Sequence, residues 1–284
     1  MRFLRGALAV MINHPTNSQT PVILITGASS GIGAAAAQLF AQQGYRVVLA
    51  ARRIERLQEI AEQIQAQGGQ ALVIQTDVSQ LDAVQQMAKQ VLERWGQVDV
   101  LFNNAGFGRL DWLENLDSTQ DIQGQIAVNL TGLIWCTQAI LPAMIQRRRG
   151  HVINMASMAA FIAPPTYSIY AATKFGVRGF SEALKREVGI FGIQVSTIYP
   201  GAVNTEFGQH TGAQRKTGVR SPGFLTLNSE QVAGAVWGLV KRPRRSLVIP
   251  WPMRVAAWGN ALLPGVYDRA IDWLFVRPER NGNK

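Results

Sequence analysis

Ser157, Tyr170 and Lys174 are the residues whose types and spacing could do chemistry. They lie in the stretch SMAAFIAPPTYSIYAATK, residues 157–174. Tyr170 and Lys174 stand four apart, which on a helix puts them on one face, one turn from each other. An unperturbed tyrosine, with a pKa of about 10, is a poor proton exchanger at neutral pH. A neighbouring ammonium favours the phenolate and moves the group toward the working range of an acid or base. Ser157, which ends the segment HVINMAS, can offer a hydroxyl to the same reacting oxygen. Taken alone, the spacing also fits an amphipathic helix with ordinary surface polar residues, so its meaning depends on the elements that carry it.

Those elements alternate. Pro21 to Ile25 (PVILI) is a short apolar run of the kind that forms a buried parallel strand. It passes directly into Thr26-Gly27-Ala28-Ser29-Ser30-Gly31-Ile32-Gly33 and then an alanine-rich helix. A strand, a glycine-rich turn and a helix N-terminus form a phosphate cradle, in which free N–H groups point at an anion that glycines allow close to the backbone. The spacing is G-x-x-x-G-x-G rather than G-x-G-x-x-G. Tyr45 to Ala50 is a second strand, whose end would lie near an adenosine ribose. An acidic residue there would suit NAD, but the chain reads Ala50-Ala51-Arg52-Arg53. Guanidinium groups suit the 2′-phosphate of NADP, with hydroxyl contacts available from Ser29 and Ser30, so NADP(H) is expected in preference to NAD(H). The two arginines could equally just open the next helix.

A helix over 53–67 and a strand ALVIQT lead to Asp77-Val78, where a side chain either meets an adenine edge or caps the helix Gln80 to Trp95. The strand Val98 to Phe102 ends in Asn103-Asn104-Ala105-Gly106, small residues that can admit a ligand; Asn103 could instead tie neighbouring strands together. An uninterrupted helix is expected over 118–147, with Asn129 midway in an apolar stretch, where it needs a bonding partner. The strand HVINMA, the helix from Ser168 to Ile190 and the strand IQVSTIYP, ending at Pro200-Gly201, complete the reactive region. The order predicts an α/β fold: a doubly wound, Rossmann-type parallel sheet in a single domain. Residues 202–227 are polar and glycine-rich, a length usual for a lid or a disordered segment, and a last helix and the strand SLVIP close the sheet.

Composition narrows the classes. The net charge is +10; residues 1–205 hold 16 basic and 13 acidic side chains, and residues 206–284 hold 12 and 5. That excess favours an anionic partner, either a cofactor phosphate, an anionic lipid surface or nucleic acid, unless it is a solvated basic face. No nucleic-acid-binding motif accompanies it. The one cysteine, Cys136, excludes an internal disulfide and a cysteine-based metal site, and sits in an apolar run that reads as core. His14, His151 and His210 lack metal-ligand spacing, so no metal is expected. No run of eighteen apolar residues predicts a membrane span. Residues 1–20 read as a peripheral extension without a secretory cleavage site, and Met11 offers an alternative translation start. The tail, residues 250–284, is apolar with Trp251, Trp258 and Trp273 beside Arg254, Arg269 and Arg277. It suits packing on the pocket or on another subunit, or contact with a membrane interface. Pro264 and Gly265 prevent it from forming one long helix.

The five ordered signals Thr26 to Gly33, Asp77-Val78, Asn103 to Gly106, Ser157 with Tyr170-x-x-x-Lys174, and Pro200-Gly201 resemble those of the short-chain dehydrogenase/reductase family over residues 21–249. The resemblance implies a seven-stranded parallel sheet. It implies Tyr170 as acid/base, Lys174 bonded to the nicotinamide ribose, Ser157 orienting the substrate oxygen and Asn129 supporting a water relay to Lys174. The dinucleotide would be held by Gly27, Ser29, Ser30, Gly31, Ile32, Gly33, Arg52, Asp77, Val78, Asn104, Ala105, Gly106, Pro200, Gly201, Val203 and Thr205, together with Tyr170 and Lys174. Arg52 matches the position that favours NADP; Ser30 stands where many NADP-preferring members carry a basic residue. Tyr167, seven residues before Lys174, is a decoy expected to line the substrate pocket. The expected activity is NADP-dependent interconversion of a carbonyl and a secondary alcohol. The substrate would be an apolar small molecule, facing the wall 158–165 and lid residues Phe207 and Phe224, with Arg215, Lys216 and Arg220 leaving room for an acidic arm. A non-catalytic NADP(H) sensor or scaffold is the alternative. A homo-oligomer in the cytoplasm, able to meet a membrane through its tail, is the expected setting.

Overall fold

The computed structural model describes residues 20–209, 211 and 223–281. The extension 1–20, apart from Thr20, falls outside them, as do Met11, His14, His210, Arg215, Lys216 and Arg220, and the side chain of Phe224.

Aliphatic runs supply the strands: β1 (Val22–Thr26), β2 (Arg46–Ala51), β3 (Gln70–Gln75), β4 (Val100–Asn103), β5 (Gly150–Met155), β6 (Ile193–Pro200) and β7 (Ser246–Ile249). They form one sheet in the order β3-β2-β1-β4-β5-β6-β7 with every pairing parallel. Because both faces are covered, β1 is buried at every position (VILIT). Helices α1 (Gly31–Gln42), α2 (Ile54–Ala66) and α8 (Ser229–Lys241) cover one face, through Phe40, Leu57 and Val236. Helices α3 (Leu81–Trp95), α5 (Leu133–Arg147) and α6 (Ser168–Val188) cover the other, through Val84, Cys136 and Leu184. The periodicity explains the fit: Leu57, Ile60, Ala61 and Ile64 form the single buried stripe of α2. Gly96, at φ 69°, ends α3 and donates its N–H to Leu92 at 2.8 Å. Cys136 is fully buried, and burial pushes its thiol up to about 12.

The stretch 118–147 is helical throughout, but not as a regular α-helix. Residues 118–123 and 127–132 are π-helical around a short α4 (Gly124–Ile126), and only then does α5 follow. The wider turns let Gln125 and Asn129 point inward, where both are fully buried. This run is also long and apolar enough to cross a membrane, contrary to the expectation from unbroken apolar runs. Its buried face packs on the sheet instead, with Cys136, Ile140 and Met144 in the core.

Buried polar groups tie the layers together. Asn103 Nδ2 donates to Thr137 Oγ1 and to Asn154 Oδ1, both at 2.9 Å, and Asn154 Nδ2 donates to Ser181 Oγ at 2.9 Å. At the opposite edge, Asp99 accepts from the Val22 N–H at 2.8 Å and from Arg147 at 3.0 Å. Beyond β7 the chain forms α9 (Met253–Leu262), α10 (Pro264–Ile271) and α11 (Arg277–Asn281), with Pro264 opening α10 after the expected break. Segment 202–227 contains α7 (Glu206–Gln209) and one parallel bridge, Val203 to Leu227.

His151, on β5, is a buried base. Ser196 Oγ gives its proton to the Arg244 carbonyl at 2.6 Å, so His151 Nε2, 2.8 Å from that oxygen, is the donor in their pair. Burial lowers its pKa to about 4. The unfolded chain then binds the extra proton near 6.5 and the folded chain only near 4, so stability is lost as pH falls through this window. We expect a loss on the order of 3 kcal/mol from this group. Urea midpoints of the parent and His151→Gln, compared at pH 7 and pH 4.5, should show the variant losing less.

Candidate active site

The candidate site gathers at the carboxyl ends of β1, β4, β5 and β6, beside the place where the strand order reverses between β1 and β4. Ser157 follows β5, and its Oγ accepts from the Ala159 N–H at 3.1 Å, which fixes the turn. The first turn of α6 brings Tyr170 beside it, close enough for the Ser157 hydroxyl to act on the phenol. Lys174, one turn on, is buried; its Nζ donates to the Met155 carbonyl at 3.0 Å and lies 5.5 Å from the Tyr170 ring centroid.

The electrostatics differ from the sequence expectation. Burial raises the Tyr170 phenol above its ordinary value, the Ser157 hydrogen bond pulls it back, and Tyr167 adds to the rise. Burial also lowers Lys174 to about 8. The cation therefore does not depress the phenol in this arrangement: desolvation acts on both groups, and Nζ is bonded to a carbonyl rather than to the phenol oxygen. Tyr170 is a neutral acid here.

Asn129 finds the partners its burial requires. Its Oδ1 accepts from the Phe107 N–H at 2.9 Å and its Nδ2 donates to the Phe107 carbonyl at 2.8 Å. A side chain at Gly106 would lie 3.1 Å from Asn129 Oδ1 and 3.6 Å from Lys174 Nζ, so glycine is what allows these groups to approach. Phe207 of α7 covers Tyr170 with ring centroids 5.6 Å apart, and Tyr167 meets it edge-on at 6.1 Å.

The glycine turn has no room for a side chain at its glycines where the backbone closes on itself. A Cβ on Gly33 would lie 2.2 Å from the Gly27 carbonyl and 2.8 Å from Asn104 Nδ2. Asn104 braces the turn, donating to the carbonyls of Thr26 at 3.1 Å and Gly27 at 3.2 Å; the Thr26 hydroxyl accepts from the N–H groups of Asn104 and Ala105. Gly27 and Gly31 adopt φ of 65° and 53°. Ser30 makes no side-chain cap on α1 and instead accepts from Arg53 at 2.7 Å. Arg53 also reaches Ser29 at 3.1 Å and pairs with Glu206 at 3.1 Å. Arg53, rather than Arg52, thus supplies the guanidinium beside the turn; Arg52 is exposed and its carbonyl accepts from Gln75. Bonds from Arg53 and Ser30 hold the Glu206 carboxyl below the usual range. This cradle and its cation suit a phosphorylated ligand.

The other expected residues fall in two groups. Asp77 Oδ1 accepts from the Ser79 N–H at 2.9 Å and from its hydroxyl at 2.7 Å, forming the turn into α3; the carbonyl of Val78 abuts Gly132. Gly201 bonds the end of β7 and lies under Met253, Val203 joins Leu227, and Thr205 packs beside Gly31. Two further residues take part: Thr26, whose hydroxyl braces the turn, and Glu206, whose only sequence signal is its place shortly after Pro200-Gly201.

A family profile described as short chain dehydrogenase matches residues 21–216. An uncharacterized oxidoreductase of Mycobacterium bovis is 36% identical over 280 residues, covering 96% of this chain and 80% of its own. The NADP-dependent 3-hydroxy acid dehydrogenase of Salmonella typhi is 34% identical over 225 residues, covering 78% of this chain and 90% of its own. Among solved structures, an alcohol dehydrogenase from the archaeon Thermococcus sibiricus, complexed with 5-hydroxy-NADP, aligns with a TM-score of 0.72 at 32% identity, covering 81% of this chain and 96% of the other.

The Gly33 contact sets a stability test. Gly33→Ala forces a methyl against the Gly27 carbonyl and should destabilise the fold by about 1–3 kcal/mol. A thermal unfolding midpoint equal to the parent's would contradict the close approach.

Proposed function

Because the chain belongs to the short-chain dehydrogenase/reductase family, we propose that it is an NADP-dependent oxidoreductase interconverting a carbonyl and a secondary alcohol on an apolar small molecule. The observation that carries this reading is buried Tyr170 beside half-buried Ser157, with buried Lys174 one helical turn away, next to a phosphate cradle flanked by Arg53. NADP(H) is the preferred cofactor, with NAD(H) as the second choice. Gly27 through Gly33 and Thr205 would hold its pyrophosphate, and Arg53 with Ser29, aided by Arg52, its 2′-phosphate. Asp77 and Val78 would border the adenine. Asn104, Ala105, Gly106, Pro200, Gly201 and Val203 would border the rest, and Tyr170 and Lys174 the nicotinamide ribose. When bound, the nicotinamide gives up or takes up the hydride.

The chain's own residues do the rest. Tyr170, a neutral phenol, donates its proton to the substrate oxygen during carbonyl reduction and takes one back in the reverse direction. Ser157 offers a hydrogen bond to the same oxygen. Lys174 supports the charge on Tyr170 as its proton leaves, and Asn129 keeps the loop at Gly106 and Phe107 aligned, with water linking it to Lys174. Residues 21–249 would be the catalytic domain and residues 202–227 its lid; Phe207, lying on Tyr170, supports that role. The apolar cluster of Leu110, Ala159, Tyr167 and Phe207 around Tyr170 supports an apolar substrate. Exposed Ile126 on α4 and Phe175 on α6 are apolar surface available to a second subunit, which supports a homo-oligomer. The proposed setting is the cytoplasm.

Consumption of NADPH against a panel of apolar aldehydes and ketones tests the reading. Tyr170→Phe should abolish turnover while keeping cofactor affinity, and Tyr167→Phe should retain turnover; equal rates for Tyr170→Phe and the parent would sink the assignment. Arg53→Ala should weaken NADPH about ten- to a hundredfold with little change for NADH, as expected for a lost charge-assisted pair. Arg52→Ala should have the smaller effect. Titration of each variant with both dinucleotides decides between the two arginines.

A further inference from the structure

The C-terminal helices are apolar on the side facing away from the domain. Helix α9 is anchored by its inner face: Ala257 packs with Leu133, Met158 and Tyr199, and Asn260 Nδ2 donates to the Phe161 carbonyl at 3.2 Å. The end of the tail is fastened too, since Arg280 stacks on Trp112 at 3.7 Å and pairs with Glu114. The tail is therefore held to the domain at both ends, and the core does not need its outer face.

That outer face carries Trp251, Val255, Trp258 and Leu262, which are 72%, 60%, 64% and 78% exposed. Val255, Trp258 and Leu262, three and four residues apart, form one stripe along α9, and Trp251 stands in the turn just before it. Leu263, Val266 on α10, and Trp273 and Leu274 in the π-helical segment 272–276 behind it, are exposed as well. An ordinary surface helix turns such a stripe inward; a continuous outward one marks a contact surface. Arg254 lies over the Trp258 ring at 5.7 Å, and Arg269 is exposed on α10; neither forms an ion pair among the described residues. Of the acidic groups nearby, Asp272 pairs with Arg277 and Asp268 is exposed.

We propose that this face docks on an anionic phospholipid bilayer. Tryptophans spaced among aliphatic side chains suit the boundary between headgroup and acyl chain, and arginines at their margin suit lipid phosphates. Charge selects this occupant over a second copy of the chain. The protein carries +10, and the tail itself, residues 250–284, holds five basic against three acidic side chains. A second copy would bring like charge to the contact, whereas an anionic bilayer brings the opposite sign.

The test uses the full chain with vesicles of phosphatidylcholine alone or mixed with phosphatidylglycerol. The protein should pellet with the mixed vesicles at least about fivefold more than with the neutral ones, less so at high salt, with tryptophan emission shifting to the blue. Trp258→Ser combined with Leu262→Ser should weaken pelleting about tenfold at an unchanged unfolding midpoint, because both side chains are exposed. Arg254→Glu with Arg269→Glu should remove the preference for the anionic vesicles. No pelleting, or equal pelleting by the serine variant, overturns the proposal. It is also overturned if sedimentation velocity without lipid shows a dimer that the serine variant dissolves while neither protein binds vesicles, because a second copy then covers the face.

Discussion

Parallel strands covered on both faces leave a chain one kind of place for chemistry. Along β1 every side chain is buried among aliphatic neighbours, so a reactive group there would be desolvated and out of reach. Only past the carboxyl ends, where the ladder stops and chain turns begin, can polar groups converge from several strands. Ser157 after β5, the Asn104–Gly106 segment after β4, the glycine turn after β1 and Thr205 after β6 all obey this restriction. α6 delivers Tyr170 and Lys174 to the same edge from above the sheet.

Holding that edge in register requires polar side chains inside the core, each tied to a neighbour, although Asn103 Oδ1 has no partner of its own. Asn103, Thr137, Asn154 and Ser181 form a connected chain across β4, β5 and the helices that cover them. Asn129 does the same for the Phe107 loop with two bonds to one residue. A buried amide that lost these bonds would cost about 1–3 kcal/mol, so such groups specify one arrangement rather than merely adding to stability. Lys174 belongs to this system. Its bond to the Met155 carbonyl fixes its distance from Tyr170, and burial sets its charge.

Much of this was legible because it is written in local periods. Strand and helix order followed from alternating apolar runs, and the pairing of Tyr170 with Lys174 followed from one helical turn. The glycine cradle followed from glycines placed between a strand and a helix. What escaped depends on contacts far apart in sequence. Arg52 and Arg53 are adjacent in chemistry and position; only the start of α2 and the hydroxyls of Ser29 and Ser30 decide which guanidinium turns toward the cradle. Glu206 meets Arg53 from 153 residues away. The π-helical turns around Asn129 have no composition of their own, since they answer the demand of Phe107 for a partner. The sign of the Tyr170 shift depends on burial outweighing the pull of Ser157, which spacing alone does not reveal.

Cys136 has a consequence of a different kind. It is the only thiol in the chain, fully enclosed between α5 and the sheet, and burial pushes it up to about 12. A thiolate-seeking reagent finds almost nothing to attack while that layer is closed. Alkylation must wait for an opening event, so its rate counts the moments when α5 lifts from the strands. The molecule thus carries an internal clock on the breathing of its own core, readable without introducing any label.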